Sequence, residues 1–218
     1  MPPVTDTRQR LIDAAGELFW ERGYAATGLS DILAAAGARG GSLYHFFPTK
    51  DDLLLAVIDH QAALVETSIE NALAAEQEPR AKVLAMVELY RRYMQRTACT
   101  LGCPLTNLTG EVGDSHPAAA VKLAAFSDRI VARLAEHLAG ALAQADARRI
   151  ARSVLCMVQG ALLQARASHR PEALDECAAT ADSILQQALG APQTLQVHTR
   201  PWSPDAISPV PPSAVAKA

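Results

Sequence analysis

Gly41-Ser42-Leu43-Tyr44-His45-Phe46-Phe47-Pro48-Thr49-Lys50 is the stretch on which the fold turns. Leu43, Phe46 and Phe47 give the apolar side of a short helix that Pro48 ends, because proline has no N–H with which to continue it. Thr49 then caps a long fourth helix in which Leu53, Leu54, Val57, Ile58 and Val65 recur at helical spacing. Working back, Leu29, Ile32, Leu33 and Ala36 form a second short apolar face that Gly37 closes. Before it, the stretch from Thr7 to about Arg22 places Leu11, Ala15, Leu18 and Phe19 on one side, with Thr5 or Asp6 as cap and Gly23 as stop. Three helices with a glycine-containing turn between the last two match a helix-turn-helix unit. No segment of this headpiece alternates with the period of two that a half-buried strand requires.

Working forward from Pro79, helical patterns cover about 80–97, 105–112, 117–144, 146–168 and 171–189. The clearest stripe is Leu123, Phe126, Ile130, Leu134 and Leu138, at steps of three and four. Gly102, Pro104, Gly113 and Pro117 interrupt the middle, so a short helix with flanking loops is expected there. Beyond Gly190 the pattern dissolves, and Pro201, Pro204, Pro209, Pro211 and Pro212 oppose regular structure. The expected organisation is all-α with about nine helices. It comprises a helix-turn-helix headpiece over residues 1–50, a helical bundle over 51–190 and a disordered tail over 191–218.

Composition agrees with helices: half of the 218 residues are hydrophobic, alanine and leucine dominate, and aromatics are only 5%. The net charge of -3 does not announce a nucleic-acid binder. Residues 1–50 balance Arg8, Arg10, Arg22, Arg39 and Lys50 against Asp6, Asp13, Glu17, Glu21 and Asp31. Affinity for DNA must therefore come from where the charges sit rather than from their sum. No signal pattern and no bilayer-length apolar run occur, so a cytoplasmic location with no membrane partner is expected. In that compartment the four cysteines stay reduced.

With these residues in view, segment 11–55 resembles the TetR family of transcriptional repressors. The likeness is densest in Gly41–Lys50, with Gly23-Tyr24, Asp31-Ile32, Ala36-Gly37 and Lys50-Asp51-Asp52-Leu53 in register. It departs at Gly28, at Arg39-Gly40 and at Phe46. Downstream, the likeness lies in helix count and order alone. The resemblance implies a dimer that binds double-stranded operator DNA, a small-molecule effector held by the middle helices, and pairing of two subunits through the last two helices. It also makes Tyr44 and His45 a phosphate-touching pair.

The residues support the DNA reading in their own right. A recognition helix must turn short polar or basic side chains toward base edges while its other side packs on the headpiece. Arg39, Gly41, Ser42 and His45 are expected outside, with Leu43, Phe46 and Phe47 inside. Gly40 and Gly41 let the backbone approach a groove, and Arg39 suits bidentate reading of a guanine. Lys50 would bring a cation and a helix N-terminus to one phosphate, and Thr27 and Ser30 would meet the opposite backbone.

For the effector pocket the candidates are Met86, Tyr90, Tyr93, Met94, Cys103, Asn107, Phe126 and Met157, adaptable or amphipathic side chains on the middle helices. Two apolar stripes near the C-terminus suggest self-association. One is Val154, Leu155, Val158 and Leu162 around Gly160 and Ala161; the other is Leu174, Cys177, Ala178, Ala181, Ile184, Leu185 and Ala188. The alternative is that both stripes complete one subunit's core. Ligand binding is expected to act as a two-state switch, moving the fourth helix and with it the separation of two recognition helices.

Cys99 and Cys103 flank Thr100-Leu101-Gly102 just before Pro104, at a helix boundary. Gly102-Cys103-Pro104-Leu105 and Glu111-Val112-Gly113-Asp114-Ser115 resemble the TetR-like repressors of genes for reductases of reactive electrophiles. Cys103, with Cys99 as a resolving thiol, is therefore an alternative sensor, set against two small buried hydrophobes. Cys156 and Cys177 lie in apolar stripes and read as core. The six histidines are scattered, no phosphate loop or nucleophile elbow is present, and C-x3-C alone does not make a zinc site. An enzyme, a metal and a cofactor are accordingly not expected.

Overall fold

Proline and glycine set most of the helix bounds in the computed structural model, which describes residues 4–190. The helices are α1 (Val4–Arg22), α2 (Leu29–Ala35), α3 (Gly40–Phe46), α4 (Lys50–Ala74), α5 (Pro79–Arg96), α6 (Pro104–Val112), α7 (Pro117–Leu138), α8 (Gln144–Ser168) and α9 (Glu172–Gly190). Pro79, Pro104 and Pro117 each occupy the first helical position, where a missing N–H costs nothing. Gly23 closes α1 with φ +89° and Gly37 follows α2 with φ +57°, both in the left-handed region that glycine enters without strain. Thr49 caps α4 reciprocally: its hydroxyl accepts from the Asp52 N–H at 3.1 Å, and the Asp52 carboxylate accepts from the Thr49 N–H at 3.0 Å. No strand occurs among the described residues.

One apolar core runs through the chain. Leu11, Phe19, Ile32, Leu43 and Phe47 fill its headpiece end, and Leu53, Leu54, Met86, Leu134 and Val154 continue it into the body. The α4 helix joins the two, packing on α1 at one side and on α5 and α7 at others. Asp59, Glu66 and Glu70 of α4 meet Lys122, Arg129 and Arg133 of α7, each pair 63 residues apart. A constant offset requires the two helices to run in the same direction. These ion pairs are exposed, so they fix register more than they stabilise.

The structure corrects several sequence readings. The α1 helix already includes Thr5 and Asp6, so neither caps it. The α7 helix ends at Leu138 rather than running on to 144, because the N–H groups of Ala141 and Leu142 both turn back to the Leu138 carbonyl. The stripes of α8 and α9 face mostly into the subunit, with Val154, Leu155, Val158, Leu162, Leu174, Cys177, Ala181, Leu185 and Ala188 buried, Ala178 and Ile184 half-buried and Gly160 exposed. They serve the packing of α8 on α7 and α9, and of α9 on α5. Cys156, read as core, is exposed on α8. The expectation for residues 191–218 lies outside the described residues.

Candidate DNA interface and effector pocket

The outer side of α3 follows from its short amphipathic pattern. Leu43 at 0% and Phe47 at 3% exposure anchor it, and Phe46 is half-buried. The remaining positions then turn outward: Arg39, Gly40, Gly41, Tyr44 and His45 are exposed, with Tyr44 at 58%. A Cβ added at Gly41 would meet no protein atom within 4 Å. Ser42 is half-buried, and its hydroxyl donates to the Arg39 carbonyl at 2.6 Å within the first turn. Ser30, on α2, is exposed.

Two residues expected on this face are elsewhere. Thr27 is 1% exposed, and its hydroxyl donates to the Gly23 carbonyl at 2.7 Å, so it ties the α1–α2 turn together instead of pointing out. Lys50 folds back on the headpiece: its Nζ donates to the Tyr24 carbonyl at 2.5 Å and sits 4.1 Å from the centre of the Tyr24 ring. Burial lowers its pKa, with Glu111 and Asp51 opposing the shift. The Tyr24 hydroxyl donates in turn to the Asp51 carboxylate, and burial and that partner push its pKa far upward. His116 of the α6–α7 turn closes the group, edge-on to Tyr24 at 5.0 Å and 3.5 Å from Asp51.

Glu111 binds the same turn from the body. Its carboxylate accepts from the backbone N–H groups of Tyr24 at 2.8 Å and Ala25 at 2.6 Å. A Cβ at Gly23 would come within 3.0 Å of that carboxylate, so the turn needs glycine for space as well as for its φ. Glu111 is the one charge in Pro104–Val112, which was the sequence signal for a residue with a polar task.

A cavity of about 190 Å³ opens beside this joint, lined by Trp20 of α1, Gln61, Leu64, Val65 and Ser68 of α4, Leu89, Tyr90, Tyr93 and Arg96 of α5, and Cys103 and Pro104 at the start of α6. The Trp20 indole stacks on Tyr93 at 5.6 Å and 17°, and its N–H donates to the Gly102 carbonyl at 2.7 Å. The structure thus brings Tyr90, Tyr93 and Cys103 together at this cavity. Met86 and Met94, at 0%, and Phe126, at 3%, are closed into the core instead, and Asn107 and Met157 do not line this cavity. The spacing of residues along α5 and α6 was legible, but which helix faces meet was not. A wider groove of about 590 Å³, lined by residues including Arg8, Phe47, Asp59, His60 and Lys122, lies on the headpiece flank. Its lysine is already paired with Asp59 at 2.6 Å.

Cys103 is the N-cap of α6 and 3% exposed, with its thiol against the buried Tyr90 hydroxyl, whose pKa burial raises further. Cys99 is 2% exposed in a left-handed turn, and burial with the nearby Glu172 carboxylate raises its pKa. Among the described residues no group of His, Cys, Asp or Glu could hold a metal ion, and no helix is long and apolar enough to cross a membrane.

A glycine-turned helix pair with a polar outer face on α3, carried by a helical body, defines a helix-turn-helix transcriptional regulator. Residues 11–57 match the family model described as bacterial regulatory proteins, tetR family, and residues 79–180 match that of the transcriptional regulator LmrA/YxaF-like C-terminal domain. The chain belongs to the TetR family. It is 26% identical over 160 residues to the uncharacterised HTH-type transcriptional regulator YxaF of Bacillus subtilis, covering 72% of this chain and 84% of YxaF. Its fold superposes on a TetR transcriptional regulator from Chloroflexus aurantiacus with a TM-score of 0.76, at 27% identity over 87% of this chain and 98% of that one. The reduced form of NemR from Escherichia coli is similar too, with a TM-score of 0.68 and 26% identity over 82% of this chain and 96% of NemR.

Proposed function

We propose that this regulator binds a palindromic operator as a homodimer in the cytoplasm and is released by a small-molecule effector, acting as a non-enzymatic switch. In this reading residues 1–50 form the DNA-reading unit and 51–190 the effector and dimer unit. Arg39 reads a base edge, Gly40 and Gly41 let the backbone enter the groove, and Tyr44 and His45 meet phosphates beside Ser42 and Ser30. The observation that carries the switch is that Trp20 of the headpiece forms a wall of the cavity in the body. A ligand there touches α1, α4, α5 and α6 together, so it can favour one headpiece position over another. Since the stripes of α8 and α9 face largely inward, self-association in this reading uses the outer face of α8, where Cys156, Gly160 and Leu163 are exposed.

The test is a fluorescence anisotropy titration of the DNA upstream of the chain's own coding region, with mass measured in parallel. Saturable binding by a dimer, with two half-sites protected one helical turn apart, supports the reading. A monomer on DNA, or no sequence preference, would overturn it.

A second reading, thiol sensing at Cys103, is supported by one observation: this cysteine lines the cavity, so a small electrophile entering it would meet the sulfur. Cys99 is a poor resolving partner in this reading, because a raised pKa leaves less thiolate.

A further inference from the structure

The cavity beside Trp20 has a polarity of its own. Among its lining residues Arg96 alone carries a charge at neutral pH, and its guanidinium makes no ion pair among the described residues. Tyr93 lies three residues earlier on α5, hence on the same side of the helix. Its hydroxyl oxygen is buried without a hydrogen bond of regular geometry, although Thr97 is close by. An orphaned donor of this kind is a cost that a bound acceptor would relieve. The α6 N-terminus adds to the same sign. Cys103 and Pro104, its cap and first residue, line the cavity, and the cap side chain makes no hydrogen bond to the helix. The positive end of the helix dipole at this cap therefore favours an anion in the cavity.

Gln61 and Ser68 add two neutral polar groups, and the rest of the wall is apolar or aromatic: Leu64, Val65, Leu89, Trp20 and Tyr90. The volume of about 190 Å³ sets the size, since an apolar cavity of about 150 Å³ accepts benzene. Resting on the reading of this cavity as the effector site, we propose that it takes a small monocarboxylate with an apolar body of about one ring, its carboxylate held by Arg96 and the Tyr93 hydroxyl. A guanidinium matches a carboxylate edge-on with two parallel hydrogen bonds, and the apolar wall takes the remainder. A dianion would bring a second charge that no residue of the wall neutralises.

The chain has two tryptophans, so a full-length Trp202→Phe protein leaves Trp20 as the only indole reporter. Benzoate and its neutral counterpart benzamide are titrated against it by fluorescence and calorimetry. Benzoate should change Trp20 emission saturably and bind at least about ten-fold tighter than benzamide, the factor expected for one charge-assisted contact. Arg96→Gln should erase that preference, leave benzamide affinity within two-fold and keep the melting temperature, because Arg96 is exposed and unpaired. Tyr93→Phe should weaken benzoate several-fold. If benzamide binds as tightly as benzoate, or Arg96→Gln leaves benzoate affinity intact, the carboxylate class is refuted while the effector site stands. If neither probe nor toluene alters Trp20 emission or the melting temperature, the effector-site reading falls with it.

Discussion

Glu111 of α6 holds the backbone N–H groups of Tyr24 and Ala25 on its carboxylate, tying the body to the turn that precedes the helix-turn-helix pair. The α6 helix begins at Cys103 and Pro104 in the cavity wall and reaches Glu111 two turns later. In the proposed reading, a ligand that displaces its first turn would act on the headpiece through one short rigid element, with α4 as a second route from the same cavity.

Removing this tie should loosen the switch more than the fold. Glu111→Ala is expected to cost about 1 kcal/mol, or about 2–4 °C in melting temperature, because the carboxylate is exposed and its hydrogen bonds compete with water. The effect of effector on operator affinity should shrink at the same time. Full coupling retained in Glu111→Ala would place the signal on α4 alone.

Gly41 should separate DNA binding from stability. A methyl group there enters open space in a helix, so Gly41→Ala should stabilise the protein by about 0.4–1 kcal/mol. Operator affinity should nevertheless fall, because on the proposed interface the same methyl group would stand between backbone and groove. A variant more stable and equally tight on DNA would remove Gly41 from the interface.

Arg39 and Lys50 should part company. Arg39→Ala is expected to relax base preference at one position per half-site at a cost of about 1–3 kcal/mol. Lys50 is engaged with Tyr24, so Lys50→Ala should lower the melting temperature while changing the slope of log K against log salt by less than one ion. A slope reduced by a full unit would show that Nζ swings out to a phosphate in the complex.

The thiols report on the dimer and on the sensing alternative together. Cys156 is exposed on the isolated subunit, whereas Cys99, Cys103 and Cys177 are buried. Maleimide labelling of Cys156 should accelerate as the protein is diluted, since a dimer built on the outer face of α8 covers it. Fast labelling at every concentration would move the contact elsewhere. Labelling of Cys103 ahead of the rest, with DNA affinity falling in step, would favour thiol sensing.

His137, on α7, has its pKa lowered by burial, with Lys82 of α5 and Arg133 adding to the shift and Glu136 opposing it. A histidine whose folded pKa lies below its unfolded value binds its proton more readily when the chain unfolds. Its unfavourable contribution is absent above about pH 6.5 and grows as pH falls below that value. The melting temperature should accordingly drop between about pH 6.5 and 5.5, and His137→Gln should flatten that part of the profile. An unchanged slope in the variant would assign the drop to other groups.

What the sequence determined by itself is local. Pro79, Pro104 and Pro117 set helix starts, Gly23 and Gly37 set stops, and the order Leu43, Phe46, Phe47, Pro48, Thr49 was enough to read a short helix, its end and the next cap. Such features depend on neighbours within about four residues, so they are visible in one dimension. The outward positions of α3 were legible for the same reason. Tertiary structure decided what depends on which faces meet. It turned Lys50 inward on Tyr24, buried Thr27, buried most of the apolar stripes of α8 and α9, and closed Met86, Met94 and Phe126 into the core. It also placed Trp20 in a cavity with Tyr93 and Cys103, residues 73 and 83 positions away. Helical periodicity says that a side is apolar, but not whether a neighbouring helix, a ligand or a second subunit covers it; that choice rests on packing between segments far apart in the chain.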